Sequence, residues 1–275
     1  MRRGLFFILA APGVALLVFF FLIPLVTVSM DGFAGGGSAF VRVFRNDLFW
    51  GGLRGSLILA ATASVFSVIV GFAVALHLSR IGSAARTVLV FFIALPLTFS
   101  GLIVAYGFIL SYGRAGLITQ VLAMLGVDPV GFSRLLYSPQ GLAFAASYYL
   151  IPRVVMLLLP VLVNFDKAQF IAAESLGATR SQTIRHILIP QIMPTALTAF
   201  CLVAAVAIGA YGTALALVGT QVNILPLQLY SMISETGSDF PAAAALSLLL
   251  MALCSCIIAV GEVVAAQHER QDAHA

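Results

Sequence analysis

Charged side chains are scarce in this chain of 275 residues. Asp, Glu, Lys and Arg make up 9% of it, whereas hydrophobic residues make up 61% and the mean hydropathy is +1.10. A soluble domain usually has about 25% charged residues. The composition therefore excludes an ordinary soluble domain and indicates a protein that lies in a lipid bilayer.

Lysine and cysteine are almost absent as well. Lys167 is the only lysine, and no Gly-x-x-x-x-Gly-Lys sequence precedes it, so any ATP hydrolysis must come from another polypeptide. Cys201, Cys254 and Cys256 show neither a disulfide framework nor the spacing of metal ligands. The sequence also lacks His-Glu-x-x-His and any recognisable nucleophile with a base. We expect no enzymatic activity, no metal site and no cofactor in this chain.

Long apolar stretches dominate the sequence instead. A helix needs about 20 mainly apolar residues to cross the hydrocarbon core of a bilayer. We therefore predict an all-α integral membrane protein in which residues 1–275 form a single transmembrane domain. The six predicted spans cover residues 5–30, 56–79, 87–111, 140–163, 195–219 and 242–265. The first is not a signal peptide, because its apolar run from Leu5 to Val28 exceeds the roughly 7–15 residues of such a signal.

The positions of Lys and Arg predict the orientation, because cytoplasmic loops are enriched in these residues. With the amino terminus inside, inner segments hold eight of them and outer segments hold five. We expect a multi-pass protein of the bacterial inner (plasma) membrane with both termini in the cytoplasm. The net charge of +4 then lies on the inner side and on Arg153, which argues against a nucleic-acid partner.

The segment between the fourth and fifth predicted spans, residues 164–190, is polar and compatible with helix. Apolar positions alternate there with charged ones, and Gly177 interrupts the pattern after roughly two to three helical turns. We predict a helix, a bend and a second helix, with Asp166 and Ser181 as the N-caps. Such a segment is either an ordinary amphipathic surface helix or an element that docks onto a partner and passes its movement to the spans.

A sequence signature favours docking. Ala172-Ala173-x-x-x-Gly177, then nine residues, then Ile187-x-Ile189-Pro190 resembles the "EAA" signature of ABC importer permeases, the membrane subunits of type I uptake systems. In that family the segment docks into a groove of the cytoplasmic ATPase. Here Ile171 replaces the opening Glu and Glu174 follows one helical turn later. The resemblance implies coupling to the ATPase through Ala172, Ala173, Glu174, Gly177, Ile187 and Pro190.

The resemblance extends over most of the chain. Four motifs are similar to the permease branch that serves polyamines, 2-aminoethylphosphonate, ferric iron and thiamine: Phe21-Leu-Ile-Pro24, Ser100-Gly101-Leu-Ile-Val-Ala-Tyr106, Tyr112-Gly113-Arg114-Ala-Gly116 and Tyr149-Leu-Ile-Pro152. It implies a second permease subunit, identical or homologous, a cytoplasmic ATPase dimer that binds ATP and Mg, and an extracytoplasmic solute-binding protein. The implied cargo is a polyamine or a 2-aminoethylphosphonate-like compound, with ferric iron or thiamine as alternatives.

Two other classes of protein fit the sequence less well. A stand-alone secondary transporter commonly has internal inverted repeats and paired ionisable residues inside the membrane, and neither is evident. A membrane-bound enzyme would need a catalytic constellation that the sequence does not offer. A partner ATPase that copurifies with the chain would distinguish an importer subunit from both.

Arg153 is the charge placed deepest in a predicted span, about ten residues from the inner end of the fourth helix. A lone Arg there costs at least about 2.5–3.5 kcal/mol on insertion scales, so it should avoid lipid. Two interpretations remain open. Arg153 either makes a structural contact to backbone carbonyls or to a partner subunit, or it contacts an anionic group of the passing cargo.

Overall fold

The computed structural model describes residues 11–166, 168–234 and 239–272, which form helices and no strand. The prediction of an all-α protein is thereby confirmed. In chain order the helices are α1 (Ala11–Gly32), α2 (Ser38–Arg45), α3 (Asp47–Arg80), α4 (Ser83–Ala94), α5 (Gly101–Tyr112), α6 (Leu117–Met124), α7 (Pro129–Leu136), α8 (Pro139–Val163), α9 (Ala168–Ser175), α10 (Arg180–Ile208), α11 (Tyr211–Val218), α12 (Leu225–Ser234) and α13 (Phe240–Asp272).

Six helical stretches of the described residues are long and apolar enough to cross a membrane. They are Ala11–Gly32, Asp47–Arg80, Gly101–Met124, Pro139–Val163, Arg180–Ile208 and Phe240–Gln267. Residues 5–10 of the first predicted span lie outside the described residues. The second of these stretches, α3, starts at Asp47, well before the predicted residue 56. Its start is fixed by Asn46, whose side chain accepts a 3.0 Å hydrogen bond from the N–H of Leu48.

The third predicted span, residues 87–111, is not one helix. The structure divides it into α4 and α5, with a 3₁₀ turn at Leu95–Thr98 and extended backbone at Phe99. Pro96 causes the break, because its ring cannot donate a backbone hydrogen bond and clashes with the preceding turn. The side chain of Ser100 then starts α5 by accepting a hydrogen bond from the N–H of Ile103.

The fifth predicted span, residues 195–219, is also divided and begins earlier than expected. Its helix α10 starts at Arg180 and ends at Ile208, and α11 follows after Gly209 and Ala210. Glycine has a low helix propensity, which explains the end of α10. The early start leaves Pro190 inside a continuous helix.

Helices α3, α8 and α10 form the centre of the bundle. Their contact surfaces bury small residues, which lets helices approach closely where lipid offers no hydrophobic drive for association. Helix α13 packs against α10 and α1, and α11 packs against α5. The central contacts include the buried residues Ala60, Ala63, Ala146, Val154, Leu158, Ala199 and Val203.

The two ends of the bundle differ. At the α2 end, which holds α2, α6, α7 and α12, Arg42 donates to Asp239 at 2.9 Å and ties α2 to the start of α13. This hydrogen bond lowers the pKa of the Asp239 carboxyl. The opposite end, the α9 end, carries the exposed segment around α9. The short helices α5 and α11 meet between these ends.

Candidate functional site

The two helix interruptions lie beside each other and line a cavity of about 200 Å³ that is partly open to the surface, here called the central cavity. The hydroxyl of Thr213 donates a hydrogen bond to the carbonyl oxygen of Gly101, with 3.1 Å between the oxygens. A β-carbon at position 101 would lie 2.5 Å from that hydroxyl. Glycine therefore allows the first residues of α5 and α11 to lie side by side along one wall of the cavity.

Arg153 of α8 lines the same cavity. Its Nη1 donates a 2.7 Å hydrogen bond to the carbonyl oxygen of Tyr149, and its guanidinium carbon lies 5.6 Å from the centre of the Tyr149 ring. The Tyr149 hydroxyl lies 3.4 Å from that of Thr213. The side chain expected to avoid lipid is thus half-buried against a polar cavity, and it makes the backbone contact of the first interpretation.

A second cavity of about 360 Å³ adjoins the first at Phe99 and extends along α5 towards the α2 end. Aromatic rings line it. The ring centre of Phe108 lies 5.6 Å from that of Tyr112 and 5.9 Å from that of Tyr148. Because the two cavities share Phe99, together they form a candidate route from the α2 end of the bundle to Arg153.

Residues 164–190, here called the docking segment, form the predicted helix, bend and helix at the α9 end. Helix α9 ends when the N–H of Ala178 bonds to the carbonyl of Ala173 at 3.0 Å, and Gly177 has φ +85°. This is the left-handed closure that glycine adopts most readily. The Asp166 carboxylate accepts a 2.9 Å hydrogen bond from the N–H of Ala168, in the capping role that the sequence predicts.

The second N-cap prediction was wrong. Thr179, not Ser181, caps α10: its hydroxyl accepts from the N–H of Gln182, and the Gln182 side chain accepts from the N–H of Thr179 at 2.8 Å. This reciprocal capping box satisfies two backbone donors that a single serine would not. It fixes the direction in which α10 leaves the bend at Gly177.

The docking segment presents apolar side chains to the outside of the bundle. Leu176 is 89% exposed and Ile171 is 66% exposed, whereas Phe170 turns inward and packs its ring 5.4 Å from that of Phe165. Ala172 and Glu174 are exposed beside them and Ala173 is half-buried. The helix is therefore anchored on one side and leaves an apolar surface on the other.

The end of the docking segment is built into α10. Ile187 lies in a π-helical turn, Ile184–Leu188, in which the N–H of Ile189 bonds to the carbonyl of Ile184. This wider turn accommodates Pro190, which has no N–H to donate. The Gln191 side chain also donates a 2.6 Å hydrogen bond to that of Gln169, so α9 is tied directly to the membrane-crossing helix.

Arg153 and the docking segment were predicted from the sequence, but the central cavity was not. Its wall is formed by the helix starts at Gly101 and Tyr211, with Tyr149 and Thr213 as polar neighbours. The signal was present, because Pro96 and Gly209 interrupt two apolar segments near their middles, a pattern that marks binding sites in transporters. The sequence does not show how α9 is oriented on the bundle, so the exposure of Leu176 and Ile171 could be seen only in the structure.

A bundle of membrane-crossing helices with a polar central cavity and an exposed docking segment defines a transporter subunit. A family model described as binding-protein-dependent transport system inner membrane component matches residues 63–270. The chain belongs to this family and is a multi-pass inner-membrane permease subunit of an ABC importer. Subunits of this kind are not themselves ATPases. The predicted resemblance to such permeases is confirmed.

Relatives with different named cargo match this chain at similar levels. The spermidine/putrescine transport system permease protein PotB of Escherichia coli (strain K12) is 28% identical over 244 residues, which cover 86% of this chain and 88% of that protein. The chloroplastic sulfate permease 2 of Chlamydomonas reinhardtii is 28% identical over 235 residues, 84% of this chain. The ferric transport system permease protein FbpB of Actinobacillus pleuropneumoniae is 26% identical over 258 residues, 91% of this chain. The chain spans only 62% of the sulfate permease and 37% of the ferric permease.

The fold also matches solved structures. A bacterial ABC transporter involved in the import of the acidic polysaccharide alginate has a chain that superposes with a TM-score of 0.75 at 19% identity, covering 97% of this chain and 96% of that one. A bacterial alginate ABC transporter in complex with an alginate pentasaccharide-bound periplasmic protein gives a TM-score of 0.73, also at 19% identity, over 94% of this chain and 93% of that one. These likenesses establish the fold of the chain and not its cargo.

Proposed function

We propose that the docking segment of this permease binds a separate cytoplasmic ATPase and passes the movement of that ATPase to the central cavity. The observation that carries this proposal is the exposure of Ile171, on α9, and of Leu176, just after its end, while Phe170 and Gln169 hold α9 to the bundle. An apolar surface presented by a rigid element is what a protein partner would cover.

The proposed assembly contains two permease subunits, identical or homologous, and a cytoplasmic ATPase dimer that binds ATP and Mg. A binding protein delivers cargo on the external side. The absence of a phosphate-binding loop from this sequence supports a separate ATPase. When the ATPase dimer closes, the two docking segments would approach each other and move the spans as rigid bodies, which is one established type of switching motion.

The proposed orientation places the α9 end in the cytoplasm. Arg80, Arg86, Arg180 and Arg185 lie at that end, and cytoplasmic loops of membrane proteins are enriched in Arg and Lys. Arg86 also donates hydrogen bonds to the carbonyls of Leu78, Ser79 and Ile81, which holds the turn between α3 and α4. Both termini would then be cytoplasmic, and the α2 end would face the binding protein.

The proposed cargo is a small solute of the polyamine or 2-aminoethylphosphonate kind, with ferric iron or thiamine as alternatives. The route lined by Phe99, Tyr148 and Arg153 would form this subunit's share of the translocation pathway. The named cargoes of the relatives include both cations and an anion, so these relatives do not choose among the candidates.

The test is a pair of matched substitutions. Leu176→Asp places a charge on the proposed ATPase contact, whereas Met124→Asp changes an equally exposed apolar residue, 86% against 89% exposed, at the opposite end. Truncating a central interface residue costs about 2 kcal/mol or more. We expect Leu176→Asp to lose most of the ATPase during purification and Met124→Asp to retain it. Equal retention in both variants would contradict docking through α9.

A further inference from the structure

The central cavity has an excess of positive charge. Arg153 is the only residue with an ionised side chain among the described residues that line the cavity, and none of these is Asp or Glu. The ion pair between Arg42 and Asp239 lies far from the cavity, at the α2 end of the bundle. The guanidinium of Arg153 gives one hydrogen bond, to a carbonyl, although it has five N–H groups to donate.

Two helix starts lie beside Arg153 and offer backbone N–H donors. Helices α5 and α11 both begin at the cavity, and a helix amino terminus carries unpaired N–H groups and a partial charge of about +0.5. The side chain of Ser100 occupies the N–H of Ile103, which leaves the N–H groups at the first positions of α5 to other acceptors. The end of α10 and the 3₁₀ turn after α4 also line the cavity, and the partial negative charge of these helix ends offsets the partial positive charge of the helix starts, so Arg153 supplies the excess positive charge.

This arrangement discriminates between kinds of cargo. A polyamine or a metal cation would enter a site that has an arginine and no carboxylate to balance it, so electrostatics would oppose its passage. An anionic oxygen group would accept hydrogen bonds from the guanidinium and from the helix starts.

We propose that the cargo of this permease carries an anionic oxygen group, such as a phosphonate, phosphate or sulfate, and that Arg153 binds this group in the central cavity during transport. The proposal rests on the proposed function, because it assigns a chemical class to the solute that the importer moves. Tyr149 is a positioning residue: its carbonyl and ring hold the guanidinium, and its hydroxyl approaches Thr213 beside the start of α11.

The first experiment measures selectivity in the unmodified protein. The complete importer, with its ATPase, second permease subunit and binding protein, is reconstituted into liposomes that contain ATP. Radiolabelled 2-aminoethylphosphonate, phosphate and sulfate serve as anionic probes, and putrescine, thiamine and ferric iron as cationic probes. We expect uptake of at least one anionic probe and no uptake of putrescine. Uptake restricted to cationic probes, or of none of the anionic probes, would overturn the proposal.

The second experiment removes the charge. Arg153→Met should lower the uptake rate of the anionic probe about tenfold or more, since contacts to ionised groups are among the stronger hydrogen bonds, while Arg153→Lys should retain a substantial part. Arg134→Met, at an exposed position of α7, is the control and should leave uptake unchanged. Unchanged uptake by an assembled Arg153→Met importer would overturn the proposal.

A third variant separates charge from folding. Uptake by Arg153→Cys is measured before and after reaction with a cationic or an anionic methanethiosulfonate. The protein that retains Arg153 is treated with the same reagents, to show what their reaction with the native cysteines Cys201, Cys254 and Cys256 does to uptake. The cationic reagent alone should restore uptake. An equal response to both reagents would overturn the role of charge.

A separate result would contradict the proposed function itself: ATP hydrolysis that the loaded binding protein does not stimulate.

Discussion

Gly177 controls the bend of the docking segment through its backbone conformation. Its φ of +85° is a left-handed conformation, and a β-carbon there would meet no atom of this chain within 4 Å. A residue with a side chain would be strained by about 1–2 kcal/mol. We predict that Gly177→Phe inserts into the membrane normally but loses ATPase activity stimulated by the loaded binding protein, measured as phosphate release.

The matched control at this position is Gly177→Asn, because Asn tolerates the left-handed conformation better than other residues with side chains. It should retain more stimulated activity than Gly177→Phe. If both variants lose activity equally, contact with the partner and not backbone strain explains the glycine. If both are fully active, the bend does not contribute to coupling.

At the residue scale, the sequence predicted which side chains are important better than it predicted their contacts. It identified Arg153 as a charge that must avoid lipid, and the structure places this side chain against a cavity. The sequence pattern predicted Ser181 as an N-cap. Thr179 is the N-cap instead, because at its position the Gln182 side chain can also accept a hydrogen bond from the Thr179 N–H. Both residues are good caps, so composition alone could not decide between them, whereas the reciprocal hydrogen bond could.

The link between α9 and α10 is a prediction at the scale of an element. The 2.6 Å hydrogen bond from Gln191 to Gln169 joins two otherwise separate helices, and such a bond contributes about 1 kcal/mol. We predict that Gln191→Ala keeps the ATPase bound but lowers the amount of solute moved per ATP hydrolysed. Measuring uptake and hydrolysis on the same vesicles tests this.

A charge pair provides the rescue experiment for that link. Gln169→Glu combined with Gln191→Lys should restore the contact between the helices, and coupling with it, whereas each single substitution should not. Coupling that is unaffected by Gln191→Ala would show that Phe165 and Phe170 hold α9 without help from the glutamines.

Element boundaries show what hydropathy can and cannot predict. The apolar runs of the second and fourth spans appear as single helices, although α3 continues well beyond its apolar part because Asn46 caps it. The third and fifth spans have equally apolar sequences, but Pro96 and Gly209 divide them. Hydropathy is averaged over about 19 residues, so it does not register a break that a few residues make. The central cavity lies at those two breaks, so a hydropathy pattern that does not show the breaks cannot predict the cavity.

Topology is the prediction at the scale of the whole molecule. We expect reporter fusions after Gln169 and at the carboxyl terminus to be active in the cytoplasm, as the distribution of Lys and Arg predicts. A fusion after Val127, between α6 and α7, should be active on the external side. Alkaline phosphatase activity from the Gln169 fusion would contradict the proposed orientation and the docking of α9 onto a cytoplasmic ATPase.

The central claim is that this permease moves solute only when a separate ATPase hydrolyses ATP. The most direct measurement is uptake of labelled 2-aminoethylphosphonate, phosphate, sulfate or putrescine into liposomes that contain the complete importer, with ATP and the external binding protein each supplied or withheld. We predict that uptake requires both ATP and the binding protein, and that it persists when proton and sodium gradients are collapsed. Uptake that continues without ATP and follows an ion gradient would contradict it and identify a secondary transporter.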